Sequence, residues 1–150
     1  MIIAYIDGGA RGNPGPAGYG VHIENAAGEA IAELHGALGI ATNNVAEYNG
    51  LLAALQWAVD RDERDVLVRA DSELLVKQMR GEYKVKHPGL QPLYVRARLL
   101  VMQLGSVRFE HVRREKNKDA DRLSNVGMDE AEALLKAAAD RATPVTEPEI

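Results

Sequence analysis

Residues 5–20 are YIDGGARGNPGPAGYG, in which an apolar strand ends at an acid and gives way to turn residues. The alternating, β-branched stretch Ile2–Asp7 predicts a first strand, and the two glycines after it place Asp7 at the tip of that strand. Glycine, asparagine and proline dominate residues 12–18, a composition typical of a turn. Two further predicted strands follow, joined by a short turn: Tyr19–Glu24 and Ala30–Gly36. This order predicts an antiparallel meander of three strands.

After the meander, helices and strands alternate along the chain. The predicted elements are, in order, a helix from Thr42 to Val59, a strand Asp65–Ala70, a helix Glu73–Met79, a helix Pro92–Leu104, a strand Val107–Val112 and a helix from Asn117 to Ala138. This order predicts an α/β fold with a five-stranded mixed sheet, in which the antiparallel meander adjoins parallel strands and helices pack against the sheet. Residues 1–142 suffice for a single domain. The acidic, proline-containing residues 143–150 are expected to form a frayed tail.

The composition excludes several classes of protein. With 46% hydrophobic and 27% charged residues, it is that of an ordinary globular domain. The chain has no cysteine, which excludes disulfides, thiolate-bound metals and thiol nucleophiles and agrees with a reducing compartment. It opens on MIIAYIDGG, without the basic segment of a signal peptide, and no apolar run is long enough to cross a bilayer. We therefore expect a cytoplasmic protein without membrane association.

The net charge of −4 is unevenly distributed. Residues 129–150 account for all of it, because residues 1–128 balance at 16 basic and 16 acidic side chains. Within that balanced part, residues 77–98 and 113–118 are predominantly basic. Such segments form either solvated faces or an electrostatic footprint for nucleic acid, and charge alone leaves both interpretations open.

Four acids stand where a predicted strand ends or a predicted helix begins: Asp7, Glu47, Asp71 and Asp121. In open α/β sheets, ligands bind beyond the carboxyl ends of the strands, so we expect these side chains to converge. Converging carboxylates repel one another, and two Mg²⁺ ions would neutralise them, since Mg²⁺ prefers oxygen ligands. The acids near helix N-termini also have a simpler explanation, namely a favourable interaction with the helix dipole. Asp7, which ends a strand, lacks that explanation.

Four segments of the chain together resemble a known family. They are YIDGGARGNPGPAGYG (5–20), TNNVAEYNGLLAAL (42–55), RADSELLVKQMRGEYKV (69–85) and REKNKDADRLSN (114–125). Their order and spacing are similar to those of type 1 ribonuclease H, and the resemblance covers essentially residues 1–128. It implies a five-stranded mixed sheet with helices, in agreement with the elements predicted above.

The resemblance implies an enzyme that cleaves the RNA strand of RNA–DNA hybrids with two Mg²⁺ or Mn²⁺ ions. By motif position, the metal-binding and catalytic acids of the family correspond to Asp7, Glu47, Asp71 and Asp121. Attack by water rather than by the 2′-hydroxyl would leave 5′-phosphate and 3′-hydroxyl ends. The implied partner is the hybrid, with no obligate protein partner and a monomeric chain.

The resemblance also implies substrate contacts, since selection of a hybrid requires contact with ribose. The first loop and the TNN segment contribute Asn13, Asn43 and Asn44, and Thr42 contacts a DNA phosphate. Further candidate contacts are Gly8, Ser72, Lys84, Lys86 and Asn117. Helix capping explains the TNN segment as well, and both roles can hold together. The two lysines belong to a loop shorter than the basic protrusion of many relatives, which predicts weaker and more salt-sensitive binding.

One departure from the family pattern concerns the loop before the last helix. Many relatives carry a histidine there, whereas this loop has none and His111 lies within the predicted strand. Some short-loop relatives carry an arginine, which makes Arg114 the candidate. A guanidinium stays charged and cannot act as a general base, but it can hold a phosphate oxygen and offset developing charge. The alternative is a solvated arginine that only attracts the substrate over long range.

Three other functions fit the sequence less well than hybrid cleavage does. A catalytically silent hybrid-binding module is disfavoured because all four acids are present. A nuclease of related fold for another nucleic acid, such as a DNA-junction resolvase, is disfavoured by the TNN and GNPG segments. A phosphate-handling ATPase would need a phosphate loop such as GxxxxGK[ST], which the chain lacks.

Overall fold

The computed structural model describes residues 1–142. The strands are β1 (Ile2–Ala10), β2 (Gly15–Asn25), β3 (Ala30–Ala41), β4 (Asp65–Ala70) and β5 (Ser106–His111). The helices are α1 (Asn43–Asp60), α2 (Glu73–Met79), α3 (Gln91–Leu104) and α4 (Lys118–Ala142), with a 3₁₀ turn at Arg114–Lys116. Within the described range, no helix combines the length and the apolar character needed to cross a bilayer. Residues 143–150, where the sequence predicts a frayed tail, lie outside the described residues.

The five strands form one mixed sheet in the order β3-β2-β1-β4-β5. β1, β2 and β3 are antiparallel neighbours, whereas β1, β4 and β5 run parallel. This confirms the predicted α/β fold with its meander and its parallel strands. Because the strand order reverses at β1 and β4, the carboxyl ends of these two strands form the edge at which open sheets bind ligands.

β2 is longer than predicted, and the turn expected over residues 12–18 is wrong for its second half. β2 begins at Gly15, and residues 15–18 pair with β3. Ala17 and Gly18 also pair with β1 on the other side. Local sequence shows only the low strand propensity of glycine and proline. In the folded chain, hydrogen bonding of β2 to both neighbouring strands outweighs that propensity.

The main core lies between one face of the sheet and the helices α1, α2 and α3. Ile2, Ala4 and Ile6 alternate along β1 toward this face, where Leu51 and Leu55 of α1 are completely buried. The intervening β1 residues point to the opposite face, which α4 partly covers. Asp7 is one of them, so it lies on the α4 side of the sheet, away from the apolar core.

α4 lies very close to the meander, and glycines permit this approach. A Cβ at Gly18 or at Gly20 would overlap the backbone of α4, and a Cβ at Gly127 would overlap the carbonyl of Gly36 on β3. Larger residues at these positions would push the helix away from the sheet. The glycines therefore set the depth of α4 and, with it, the position of Asp121.

Candidate active site

Three acids converge at the carboxyl ends of β1 and β4. One carboxylate oxygen each from Asp7, Glu47 and Asp71 lies within 4.8 Å of the other two. These residues line an open pocket of about 330 Å³, which Asp121 and Arg114 also line. The structure therefore places all four predicted acids and the predicted loop arginine around a single pocket.

The parallel register of the sheet brings two of the acids together. Ile6 of β1 pairs with Ala70 of β4. The next residue on each strand is an acid, Asp7 on one and Asp71 on the other, and both lie at the same edge. The sequence pattern of an apolar strand ending in aspartate thus produces a pair of neighbouring carboxylates.

Gly8 brings the third acid into place. A Cβ on Gly8 would overlap the backbone of Ala46 and Glu47, so only glycine permits the first turns of α1 to approach β1 this closely. That approach puts Glu47 beside Asp7. The structure gives Gly8 this packing role, in addition to the substrate contact that the sequence predicts.

α4 contributes Asp121 near its start and Ser124 one turn later. The Ser124 hydroxyl lies 3.1 Å from Asp7 Oδ2 and 2.8 Å from the carbonyl oxygen of Asp121, within hydrogen-bond distance of both. Just before the helix, Asn117 Nδ2 donates to the carbonyl of Ile6 at 2.9 Å. These contacts tie the start of α4 to β1.

The negative charge of Asp7 is poorly stabilised in this pocket. Its pKa is raised to about 8, chiefly by burial and next by the neighbouring charge of Asp71. The hydrogen bond from Ser124 opposes the rise, and Asp121 adds to it. An aspartate in this setting is partly protonated near neutral pH until a cation approaches.

Glu47 is in a similar setting but has a cation nearby. Burial, followed by the charge of Asp71, raises its pKa to about 7, although a hydrogen bond from Ser72 and the positive charge of Arg114 work in the opposite direction. Arg114 is exposed, and it is the one cationic residue among the described residues that line the pocket. Four carboxylates thus face a single guanidinium, an imbalance that divalent cations would correct.

The TNN segment holds the first loop against α1. Thr42 caps the helix, and its Oγ1 accepts a hydrogen bond from Val45 N–H at 3.2 Å. Asn43 Oδ1 accepts from Ala10 N–H at 2.8 Å, and Asn43 N–H donates to Asn13 Oδ1 at 3.0 Å. The capping role is confirmed, and the same segment fixes Asn13 relative to the pocket, which Asn43 itself lines.

Other predicted substrate contacts are dispersed around the site. Asn44 is exposed in the first turn of α1. Ser72 caps α2 and lines a small cavity that it shares with Asp7, Glu47 and Asp71. Lys84 and Lys86 are exposed and border a separate open cavity of about 560 Å³. The structure does not bring these two lysines into the acidic pocket.

The position of Asn117 contradicts its predicted contact with substrate. The residue is 1% exposed, and its amide is directed into the protein, where it binds the backbone of β1. Sequence position alone could not reveal this, because the residue precedes a helix at the end of a basic, polar loop. Its role is to anchor the start of α4.

Sequence reasoning missed five residues that line the pocket: Gly9 and Ala10 on β1, and Ser124, Asn125 and Met128 on α4. The three on α4 follow Asp121 at spacings of three, four and seven residues. Residues at these spacings share a helix face, so the helical period beyond Asp121 was a signal that could have found them.

Comparison with known proteins places this pocket in context. A family described as reverse transcriptase-like matches residues 5–127. The bifunctional protein Rv2228c of Mycobacterium tuberculosis is 48% identical over 142 residues, which make up 94% of this chain and 39% of that protein. The chain thus spans well under half the length of this curated relative.

Two solved structures resemble most of the described fold. The N-terminal RNase H domain of Rv2228c, fused to maltose binding protein, has a TM-score of 0.86 and 47% identity over 89% of this chain and 97% of that one. LC11-RNase H1 in complex with an RNA/DNA hybrid has a TM-score of 0.82 and 45% identity over 87% of this chain and 99% of that one. The chain is 45–47% identical to nearly the full length of both solved structures, and it belongs to the ribonuclease H family.

Proposed function

We propose that this chain hydrolyses the RNA strand of RNA–DNA hybrids and leaves 5′-phosphate and 3′-hydroxyl ends. The observation that carries the proposal is the acidic pocket, in which three carboxylate oxygens lie within 4.8 Å of one another. Such a concentration of negative charge repels a phosphate backbone unless divalent cations are bound there. Membership of the ribonuclease H family supports the hybrid as the substrate.

The donor set fits two divalent ions, with Mg²⁺ as the working ion and Mn²⁺ able to replace it. Asp7, Glu47, Asp71 and Asp121 would hold them, since carboxylate oxygens are ligands that Mg²⁺ prefers. The raised pKa values of Asp7 and Glu47 support this assignment, because buried acids short of positive charge gain most from a cation. When bound, the ions supply the positive charge that activates water and stabilises the departing 3′ oxygen.

The chain's own polar side chains would position the hybrid. Arg114 at the pocket can hold a phosphate oxygen through charge-assisted hydrogen bonds. Asn13 and Asn43 each use Oδ1 to accept a backbone N–H, so the amide Nδ2 of each is the donor that remains for ribose or phosphate oxygens. Contact with the 2′-hydroxyl would distinguish the RNA strand from the DNA strand.

A cleavage assay on matched duplexes tests this function. We expect the RNA strand of an end-labelled hybrid to be cut in Mg²⁺, with EDTA abolishing the cut and double-stranded RNA and DNA left intact. Extension of the cut RNA by a polymerase would detect the 3′-hydroxyl. Binding of the hybrid without cleavage would identify a silent module instead, and cleavage of a DNA junction would identify a different nuclease.

We propose further that the chain acts as a monomer in the cytoplasm, without an obligate protein partner, and that it removes RNA paired with DNA, either primers during replication or the RNA of R-loops. The absence of cysteine supports a reducing compartment. Light scattering during size-exclusion chromatography tests the monomer, with a mass near 16.3 kDa as the expected result.

A further inference from the structure

A second group of charged side chains lies on the α4 side of the sheet. It comprises His22 and Glu24 on β2, Glu33 on β3, and Asp119 and Arg122 on α4, and is named the His22 cluster. His22 Nε2 lies 3.0 Å from Glu24 Oε2, and His22 Nδ1 lies 3.1 Å from Glu33 Oε2. Arg122 Nη2 lies 2.5 Å from the same Glu33 oxygen and 3.5 Å from Asp119 Oδ1. The imidazole is only 9% exposed, so the centre of the cluster is fixed in the sheet.

The charge balance of the His22 cluster argues against a metal ion. His22, Glu33 and Asp119 are close enough to share one. However, the guanidinium of Arg122 already pairs with both carboxylates. The pKa of Glu33 is lowered, chiefly by its hydrogen bond with His22 and with a contribution from Arg122. Carboxylates stabilised in this way gain little from a further cation, so the cluster is a structural network.

The His22 cluster surrounds the helical turn that carries Asp121. Asp119 and Arg122 lie on either side of Asp121 in sequence, and Arg122 is bound to Glu33 on the sheet. Asp121 is also the one predicted metal-binding acid outside the group of three oxygens within 4.8 Å. Its distance from the other acids therefore depends on how the first turn of α4 is oriented.

We propose that His22 and Glu33 are positioning residues for Asp121. His22 holds Glu33, Glu33 holds Arg122, and this chain of contacts fixes the first turn of α4 with Asp121 directed toward the pocket. Glycine packing sets the distance between α4 and the sheet, because a Cβ at Gly20 would overlap the backbone of α4. Directional side-chain contacts at the start of α4 come instead from the His22 cluster, from Ser124 and from Asn117. The inference rests on the proposed metal-binding function of the pocket.

Arg122→Gln distinguishes a positioning effect on Asp121 from a long-range electrostatic effect on cation binding, because the two predict opposite changes. Removing a positive charge near an acidic pocket should strengthen cation binding if charge alone matters. Positioning predicts the opposite sign, because the turn that carries Asp121 loses its link to Glu33. Glu33→Gln should weaken metal binding by the same route.

The chain offers a matched control for Glu33. Glu130 Oε1 lies 3.0 Å from His35 Nδ1, another bridge between β3 and α4, but it stands nine residues beyond Asp121. The two carboxylates are similarly exposed, at 41% for Glu33 and 45% for Glu130. Glu130→Gln therefore removes the same charge and the same kind of histidine contact without touching the first turn of α4.

The experiment titrates Mn²⁺ into the substrate-free chain and records the melting temperature, since an ion that binds the folded state raises it. The Mn²⁺ midpoint is the Mn²⁺ concentration that gives half of the full rise in melting temperature. Glu33→Gln and Arg122→Gln should raise it by about 3–10-fold. This is somewhat below the usual loss of metal affinity when a residue that directly supports a metal ligand is removed. Glu130→Gln should leave the midpoint within about twofold. His22→Gln should raise the midpoint as Glu33→Gln does, provided that it folds. If it does not fold, Glu33→Gln and Arg122→Gln alone test the positioning role.

An unchanged or lower Mn²⁺ midpoint in Arg122→Gln would overturn the positioning role. A rise of the midpoint in Glu130→Gln as large as that in Glu33→Gln would overturn it as well. Hybrid cleavage is measured separately on the same proteins. A wild type that binds Mn²⁺ but leaves the hybrid uncut would contradict the proposed substrate, whereas the expected order of Mn²⁺ midpoints would still support the positioning role.

Discussion

Two groups of acids meet at the first turn of α4, and their electrostatic character is opposite. In the pocket, the pKa values of Asp7 and Glu47 are raised to about 8 and about 7, because burial and mutual repulsion outweigh the nearby positive charge. In the His22 cluster, the pKa of Glu33 is lowered, because His22 and Arg122 face it. Similar residue types therefore serve one site in which four acids face a single guanidinium and one in which His22 and Arg122 bind Glu33 directly.

The contrast shows that the number of acids in a cluster is a poor guide to metal binding. Both groups bring three possible ligand atoms within 4.8 Å of one another. What separates them is compensation: the four acids of the pocket face one guanidinium at its rim, whereas Arg122 pairs with both Glu33 and Asp119, and Glu33 also hydrogen-bonds His22. An uncompensated group is unfavourable for folding and is retained where a bound cation supplies the missing charge.

The largest expected effect is loss of cleavage when the uncompensated group is broken. Asp7→Asn and Asp71→Asn should each lower kcat by at least about 10²–10³-fold, which is the cost of removing a single preorganised charge-stabilising group at a reacting centre. Multiple-turnover hydrolysis of a labelled hybrid in saturating Mg²⁺ measures this. Glu130→Gln is the control with a surface charge removed, and full activity in either aspartate variant would remove that residue from the site.

A smaller effect is expected at the single cation of the pocket. If Arg114 binds the scissile phosphate, Arg114→Ala should lower kcat by about 10–100-fold, less than the upper range for a lost general acid or base, and Arg114→Lys should recover only part of it. Arg122→Gln, the equivalent loss in the His22 cluster, should change kcat by less than about threefold at saturating Mg²⁺. An Arg114→Ala variant that changes only KM, with the difference erased by salt, would show long-range attraction instead.

The uncompensated acids of the pocket should also make the stability of the substrate-free chain depend on pH. The folded-state pKa values of Asp7 and Glu47 lie above their ordinary values of 3.8 and 4.5, so the folded chain binds more protons than the unfolded chain. Stability is therefore highest below about pH 4 as far as these two groups contribute, and it declines as pH rises toward about 8. Divalent ions reverse the decline, because they bind the ionised carboxylates.

Thermal melts with EDTA and with Mg²⁺ at pH 5.5, 7 and 8.5 check this expectation. Mg²⁺ should raise the melting temperature most at pH 8.5. In EDTA at that pH, Asp7→Asn should melt about 2–5 °C above wild type, because about 1 kcal/mol corresponds to 2–4 °C for a chain of this size. The difference should shrink at pH 5.5. Equal melting temperatures of the two proteins at pH 8.5 would contradict the raised pKa of Asp7.

Local patterns predicted the fold, and the four motifs that resemble type 1 ribonuclease H singled out the acids. Alternating residues before Asp7, helical spacing around Glu47 and the short strand before Asp71 identify elements over a few residues each. Once the order of these elements gives the strand order, the acids at the strand ends must meet at one edge of the sheet. The extent of β2 was missed for the converse reason: pairing with both neighbouring strands, which no local pattern contains, overrides its glycines and proline.

The His22 cluster lies beyond local patterns altogether. Arg122 and Glu33 are 89 positions apart in sequence, and only the packing of α4 on the meander brings them together. Asn117 shows the same limit, since its burial depends on a bond to Ile6, 111 positions away. Charge compensation, which decides the role of each group of acids, is therefore a property of the folded chain.

The smallest expected effect concerns the stability of the compensated group. The pKa of Glu33 lies below its ordinary value of 4.5, so its interactions stabilise the fold above about pH 4.5, and this contribution is lost as pH falls through the lowered value. In EDTA at pH 7, Glu33→Gln should lower the melting temperature by about 1–3 °C, because half-exposed ion pairs contribute little. The gap from wild type should narrow at pH 3.5 and, since exposed charges are screened, in 1 M NaCl at pH 7 as well. Asp7→Asn shifts in the opposite direction under the same conditions, so a paired melt of both variants tests the contrast directly. A loss in Glu33→Gln that is unchanged by acid and by salt would mean that packing, rather than charge, holds this end of α4.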